Sequence, residues 1–242
     1  MIVTKHFVYI HVSRTAGTFL NKLIMNHVLG AQMIQYHGQL RDLPESFSHL
    51  PVIGFVRNPW DWYVSMFFDY RCKQQYVYEI ISEGGVIGFG ETISRFLRLG
   101  DNSVLSKSLL DKLVDAAPKV INAQTPRRLS NPGLRSEQFA AFPENFGYYS
   151  WLSKLMFESI KPHRVHLGRF ENIREEALRL FTITDTPITE GITAYLKQAV
   201  ALNSSPRPTD IIGTYSPELE LLVAEKDKYL IDLFGYVFSE AH

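Results

Sequence analysis

The chain has a single cysteine, Cys72, among 242 residues. One thiol closes no internal disulfide and builds no cysteine cluster for zinc, and its scarcity fits a reducing, cytoplasmic setting. Net charge is also lacking: 25 Lys and Arg balance 25 Asp and Glu. A non-specific nucleic-acid binder carries a basic excess, so no nucleic-acid partner is expected and any anion site must be local. No apolar run approaches the roughly 20 residues of a membrane-spanning helix. The first twelve residues lack both the apolar core and the small-residue cleavage site of a signal peptide, so a soluble protein is expected. Internal repeats, heptads and low-complexity tracts are absent. What remains is ordinary globular composition, 45% hydrophobic and 21% charged, at a length normal for one α/β domain spanning 1–242.

The apolar pattern carries the organisation. Phe7-Val8-Tyr9-Ile10-His11-Val12 is a short run of β-formers and predicts a buried strand. Ser13 to Ala16 is small and polar, a turn. From Gly17 onward Phe19, Leu20, Leu23, Ile24 and Val28 recur at helical spacing up to Gly30. The unit then repeats: Val52-Ile53-Gly54-Phe55-Val56 is a strand, Asn58-Pro59 a turn, and residues 60–74 a helix. Strand-helix alternation predicts a central parallel sheet flanked by helices, with ligands outside the carboxyl ends of the strands. Further on, 106–117, 146–160, 173–181 and 217–234 read as helices, 164–167 as a short strand, and 122–143 and 203–213 as polar loops.

Two segments carry candidate chemistry. In Ser13-Arg14-Thr15-Ala16-Gly17-Thr18-Phe19 a loop enters a helix, where backbone N–H groups and the helix dipole favour an anion. Gly17 lets the backbone approach a ligand, Thr15 and Thr18 offer hydroxyls, and Arg14 supplies a forked cation for phosphate or sulfate oxygens. An ordinary strand-to-helix turn is the plain alternative. A Walker-type loop is disfavoured, because no glycine opens the segment and Phe19 follows Thr18 where Lys-Ser is required. In the second segment, Arg57-Asn58-Pro59-Trp60-Asp61-Trp62-Tyr63-Val64-Ser65, Arg57 ends a strand and Ser65 lies two turns into the next helix, on one face with Asp61. Arg57 and Ser65 suit a second phosphate group; a structural Arg57–Asp61 pair is the alternative.

Taken together, the two segments resemble the nucleotide-binding motifs of the sulfotransferase superfamily, whose donor is 3′-phosphoadenosine 5′-phosphosulfate. There the first motif, usually Lys-Thr-Gly-Thr-like, holds the 5′-phosphosulfate. The second, Arg-[Asn/Asp]-Pro with Ser eight positions after the Arg, holds the 3′-phosphate. The resemblance implies a P-loop-like phosphosulfate-binding loop, with Arg14, Thr15, Ala16, Gly17, Thr18 and Phe19 at the 5′ end and Arg57 and Ser65 at the 3′-phosphate. Tyr36-His37-Gly38, Arg169-Phe170-Glu171-Asn172-Ile173, Asn203-Ser204-Ser205-Pro206-Arg207 with Tyr215, and Phe234-Gly235-Tyr236 are similar to stretches of the carbohydrate-type branch. Residues 76–149 match nothing in it. Arg14 stands where that family has lysine, and Trp62 where the carbohydrate-type enzymes often have arginine.

The resemblance implies transfer of a sulfuryl group to a hydroxyl, or an amine, of a small-molecule, lipid or glycan acceptor, releasing adenosine 3′,5′-bisphosphate, with no metal. Arg14 and the helix amides would stabilise the leaving group, His37 would take the acceptor's proton, and Arg207 would reach the 3′-phosphate. His11 would help shape the loop. Phe67, Phe68, Tyr148, Tyr149 and Trp151 form either an acceptor platform or core. A non-catalytic bisphosphate-binding protein and a nucleotide kinase are the competing readings.

Overall fold

The computed structural model describes residues 1–122, 124–159, 162–198 and 211–241. Among them are five strands: β1 (Ile2–Val3), β2 (Val8–Ile10), β3 (Gln32–Met33), β4 (Val52–Val56) and β5 (Val165–Arg169). The α-helices are α1 (Gly17–His27), α2 (Pro59–Lys73), α3 (Tyr76–Ile81), α4 (Phe89–Leu97), α5 (Val104–Ala116), α6 (Arg127–Ser130), α7 (Ser136–Ala140), α8 (Tyr148–Phe157), α9 (Ile173–Ile183), α10 (Glu190–Gln198), α11 (Pro217–Lys226) and α12 (Lys228–Phe234). The described residues gather into two compact units, one from Met1–Arg57 with Ser153–Ser204, the other from Asn58–Leu152 with Ser205–His242.

The first unit holds the sheet, in the order β3-β1-β2-β4-β5. β2, β4 and β5 are parallel, with Tyr9 beside Ile53 and Ile53 beside His166. The sheet is mixed rather than wholly parallel, because β1 pairs antiparallel with both β2 and β3. Thr4 makes the β1–β2 reversal: its Oγ1 donates to Phe7 O and accepts from the Phe7 and His6 N–H groups at 2.9 and 3.0 Å. Side chains alternate across a strand, so Tyr9, Ile53 and Phe55 share one core with Phe19, Leu20, Leu23 and Ile24 of α1 and Leu180 and Phe181 of α9. Each fully buried apolar side chain there contributes about 1.5–3 kcal/mol. On the opposite face Gly54 is dictated by packing, since a Cβ there would lie 2.3 Å from Phe157 Cζ.

The second unit is helical and aromatic. Asn58 caps α2 by accepting from the Trp60 N–H at 3.2 Å, and Pro59 supplies the preset first-turn φ. Trp62 is fully buried and stacks on Tyr149 with ring centroids 4.2 Å apart. Phe67, Tyr148, Tyr149 and Trp151 are likewise interior, so they build core instead of an exposed acceptor platform. The stretch 122–143 is not one long loop but carries α6 and α7. The helix expected over 217–234 is split at Asp227 into α11 and α12. At this break the Asp227 carboxylate serves another helix: Oδ1 accepts the Ser150 N–H at 2.7 Å, in the first turn of α8. Gly147 leaves room for that carboxylate, as a Cβ would sit 2.5 Å from Oδ1. Tyr63 Oη accepts the neighbouring Tyr149 N–H at 3.2 Å.

Candidate functional site

β2 ends at Ile10, and the chain must reverse within six residues to begin α1 at Gly17. It does so through left-handed backbone at two non-glycine residues, Arg14 (φ 65°) and Ala16 (φ 57°). Each such residue costs about 1–2 kcal/mol, and conformations of this kind persist only where the surroundings over-determine them. Two bonds do so. Thr15, fully buried, donates its hydroxyl to Val12 O at 2.8 Å. Arg57, at the end of β4 and 4% exposed, donates from Nη1 to Arg14 O at 3.0 Å. The Arg57 guanidinium in turn lies over the Phe170 ring, 4.2 Å from its centroid, a favourable cation–π arrangement.

The start of α1 differs from those of α2, α5 and α11. Asn58, Ser103 and Ser216 each cap their helix with a side-chain oxygen, whereas α1 opens on Ala16 with no side-chain cap, as α3, α4, α6, α9 and α12 also do at their own N-caps. The first-turn N–H groups of a helix have no intrahelical partner, and the dipole adds about half a positive charge there. Arg14 is half-buried beside this terminus, and Thr18 lies in its first turn. Arg174 stands 5.5 Å from the centroid of the Phe19 ring, and Tyr195 donates its hydroxyl to Phe19 O at 3.1 Å.

His37 is brought to the same strand end. It is buried, 4% exposed, and is a third left-handed non-glycine residue (φ 51°). Its ring stacks on His11 with centroids 4.2 Å apart, and Nδ1 lies 3.3 Å from His11 O. Tyr36, 40% exposed, meets His37 edge-on at 4.3 Å. Burial, and then the neighbouring Tyr36, pushes the Tyr9 phenol well above its ordinary range, so Tyr9 stays neutral.

Of the residues singled out from sequence, Arg14, Thr15, Ala16, Gly17, Thr18, Phe19, His37 and Arg57 all fall in the first unit, at the carboxyl ends of β2 and β4 or at the start of α1. Ser65 belongs to the second unit, buried on α2 beside the equally buried Asp61. Arg207 lies outside the described residues. Gly17 has a packing reason beside the ligand approach read from the sequence: a Cβ there would lie 1.7 Å from His11 Nε2, so the imidazole fills that side. His11 is the residue whose importance the sequence underplayed; the only hint was a polar ring ending an apolar strand. Among the described residues no group of three or more His, Cys, Asp or Glu is placed to hold a metal, and no helix is long and apolar enough to cross a membrane.

No protein-family model matches the chain, and no characterised protein matches it by sequence.

Proposed function

We propose that the protein is a sulfotransferase that takes 3′-phosphoadenosine 5′-phosphosulfate as donor and a hydroxyl, or an amine, of a small-molecule, lipid or glycan as acceptor. One observation carries the reading. α1 begins without a side-chain cap, from a strained loop held by Arg57, with a buried histidine packed at the same strand end. That combination suits an anion at the helix N-terminus next to a proton acceptor, and its donor set of backbone amides, hydroxyls and arginine fits phosphate and sulfate oxygens.

The donor supplies an activated sulfuryl group. The acceptor oxygen forms a bond to sulfur as the bond from sulfur to the 5′-phosphate oxygen breaks, and the electron pair leaves on that phosphate. His37 takes the acceptor's proton. Arg14 and the amides of Gly17, Thr18 and Phe19 stabilise the charge that builds on the leaving oxygen. Arginine is permanently charged and forked, so at position 14 it neutralises this charge without giving up a proton. The resemblance assigns the 3′-phosphate to Arg57, which already commits one N–H to the loop.

The test is release of adenosine 3′,5′-bisphosphate from labelled donor across a panel of phenols, sterols, lipids and sugars. Transfer by the wild type, with a drop of about 10²–10⁴-fold in folded His37→Ala, is the result expected of a general base. Transfer that His37→Ala leaves near normal removes His37 from the mechanism. Bisphosphate binding without transfer to any acceptor class makes the protein a binder and not an enzyme.

A further inference from the structure

His11 takes no part in the reaction outlined above, yet it touches both halves of the site. Its ring is 5% exposed and sits where the Cβ of residue 17 would be, with Nε2, Cε1 and Cδ2 at 1.7, 1.9 and 2.1 Å from that position. The other side of the same imidazole stacks on His37 at 4.2 Å and 30°. Gly17 is the first residue of α1 and has no left-handed φ, so its backbone accepts alanine, and the three atoms nearest to an added Cβ all belong to the His11 ring. His11 O lies 3.3 Å from His37 Nδ1. A carbonyl oxygen only accepts, so Nδ1 carries the proton, and in the neutral ring Nε2 is then the accepting nitrogen.

We propose that His11 is a positioning residue that locks the base to the anion cradle. Its carbonyl fixes the tautomer of His37, and its ring, wedged between Gly17 and His37, sets the spacing between the α1 N-terminus and the Nε2 that takes the proton. Gly17 is glycine to admit this wedge. The catalytic half of the inference rests on the reading of His37 as the base; the wedge and the tautomer stand apart from it.

Three variants decide the matter: Gly17→Ala, His11→Ala and the double variant. Gly17→Ala alone is expected to lower the melting temperature by several degrees, because the new methyl would lie 1.7 Å from an atom of a buried ring. In the His11→Ala background the same methyl enters the space the ring has left, and its effect is expected to turn neutral or stabilising, as alanine is in a helix. Such a reversal is the non-additivity of groups in contact. Should Gly17→Ala fail to fold, recovery of folding in the double variant carries the same meaning. In the wild type, ¹⁵N shifts of the histidine rings are expected to show His37 protonated on Nδ1. With donor and acceptor, His11→Ala is expected to lower kcat by about 10–100-fold, the scale of a small misplacement of a catalytic group, with the donor KM changed less than about threefold. A Gly17→Ala penalty that persists in the His11→Ala background overturns the wedge, and His37 protonated on Nε2 overturns the tautomer. Wild-type protein that transfers nothing sinks the function proposed above, while melting and ring shifts still decide the wedge.

Discussion

α1 in the first unit and α8, whose first turn lies in the second, begin in opposite ways. The first turn of α8 is satisfied from within the protein: the buried Asp227 carboxylate accepts Ser150 N–H, and the Tyr63 hydroxyl accepts Tyr149 N–H. α1 starts on an alanine in left-handed backbone, with no side-chain cap and an arginine close by. A helix N-terminus favours negative charge. In α8 a residue of the chain provides it at the cost of burying a carboxylate; at α1 the proposed donor provides it. The two starts thus differ in what meets their first turn: a residue of the chain at α8 and, on the proposed reading, a bound anion at α1.

Giving α1 what α8 has is the strongest way to break the contrast. Ala16→Asp puts a carboxylate at the N-cap, and aspartate tolerates left-handed backbone better than alanine. The affinity for adenosine 3′,5′-bisphosphate is expected to fall about 100-fold, since a fixed anion now holds the site, while the melting temperature holds or rises. Calorimetry and a thermal melt read the two effects, and an unchanged affinity would count against an anion site at α1.

Taking the charge from α8 is the next largest change. Burial pushes the Asp227 carboxyl up to about 6, against hydrogen bonds from Tyr63 and Ser150 that pull it down. The folded value lies above the roughly 3.9 of a free aspartate, so the folded state binds this proton more tightly than the unfolded one. The contribution to stability is therefore present in acid and is lost as pH rises through about 6. Between about pH 7 and pH 4 this group adds roughly 2 kcal/mol on acidification. Asp227→Asn keeps an oxygen for Ser150 N–H and carries no charge, so that increment should vanish. Denaturant melts of both proteins across this range check it; parallel pH curves would contradict it.

The smallest effect concerns the strain at Ala16. Ala16→Gly removes the Cβ from a left-handed residue and should stabilise by about 1 kcal/mol, a rise of roughly 2–4 °C in a chain of this size. A loss of stability would mean that the backbone there is not strained.

Much of this architecture was readable from residue order. The β2–α1 and β4–α2 units announce themselves by short apolar runs followed by helical spacing, and β4 falls at the expected residues Val52–Val56. β1 and β3 escaped notice because two residues each are too few to show a period. The apolar spacing ran on through 217–234, and nothing near Asp227 hints at a partner 77 residues away. In the site, Arg57 was visible as a cation at a strand end, but its bond to Arg14 O, 43 residues distant, was not. The loop that brings His11 to Gly17 passes through left-handed Arg14 and Ala16, and neither residue type favours that conformation. Residue types named the participants; the loop geometry that joins them appears only in the fold.

If the α1 N-terminus and its arginines form the site of a 3′-phosphorylated adenosine nucleotide, isothermal calorimetry with adenosine 3′,5′-bisphosphate and, separately, with ATP tests it most directly. Tight, one-to-one binding of the bisphosphate and far weaker binding of ATP are predicted, with the bisphosphate signal lost in Ala16→Asp. Preference for ATP, or bisphosphate binding that Ala16→Asp leaves intact, would contradict it.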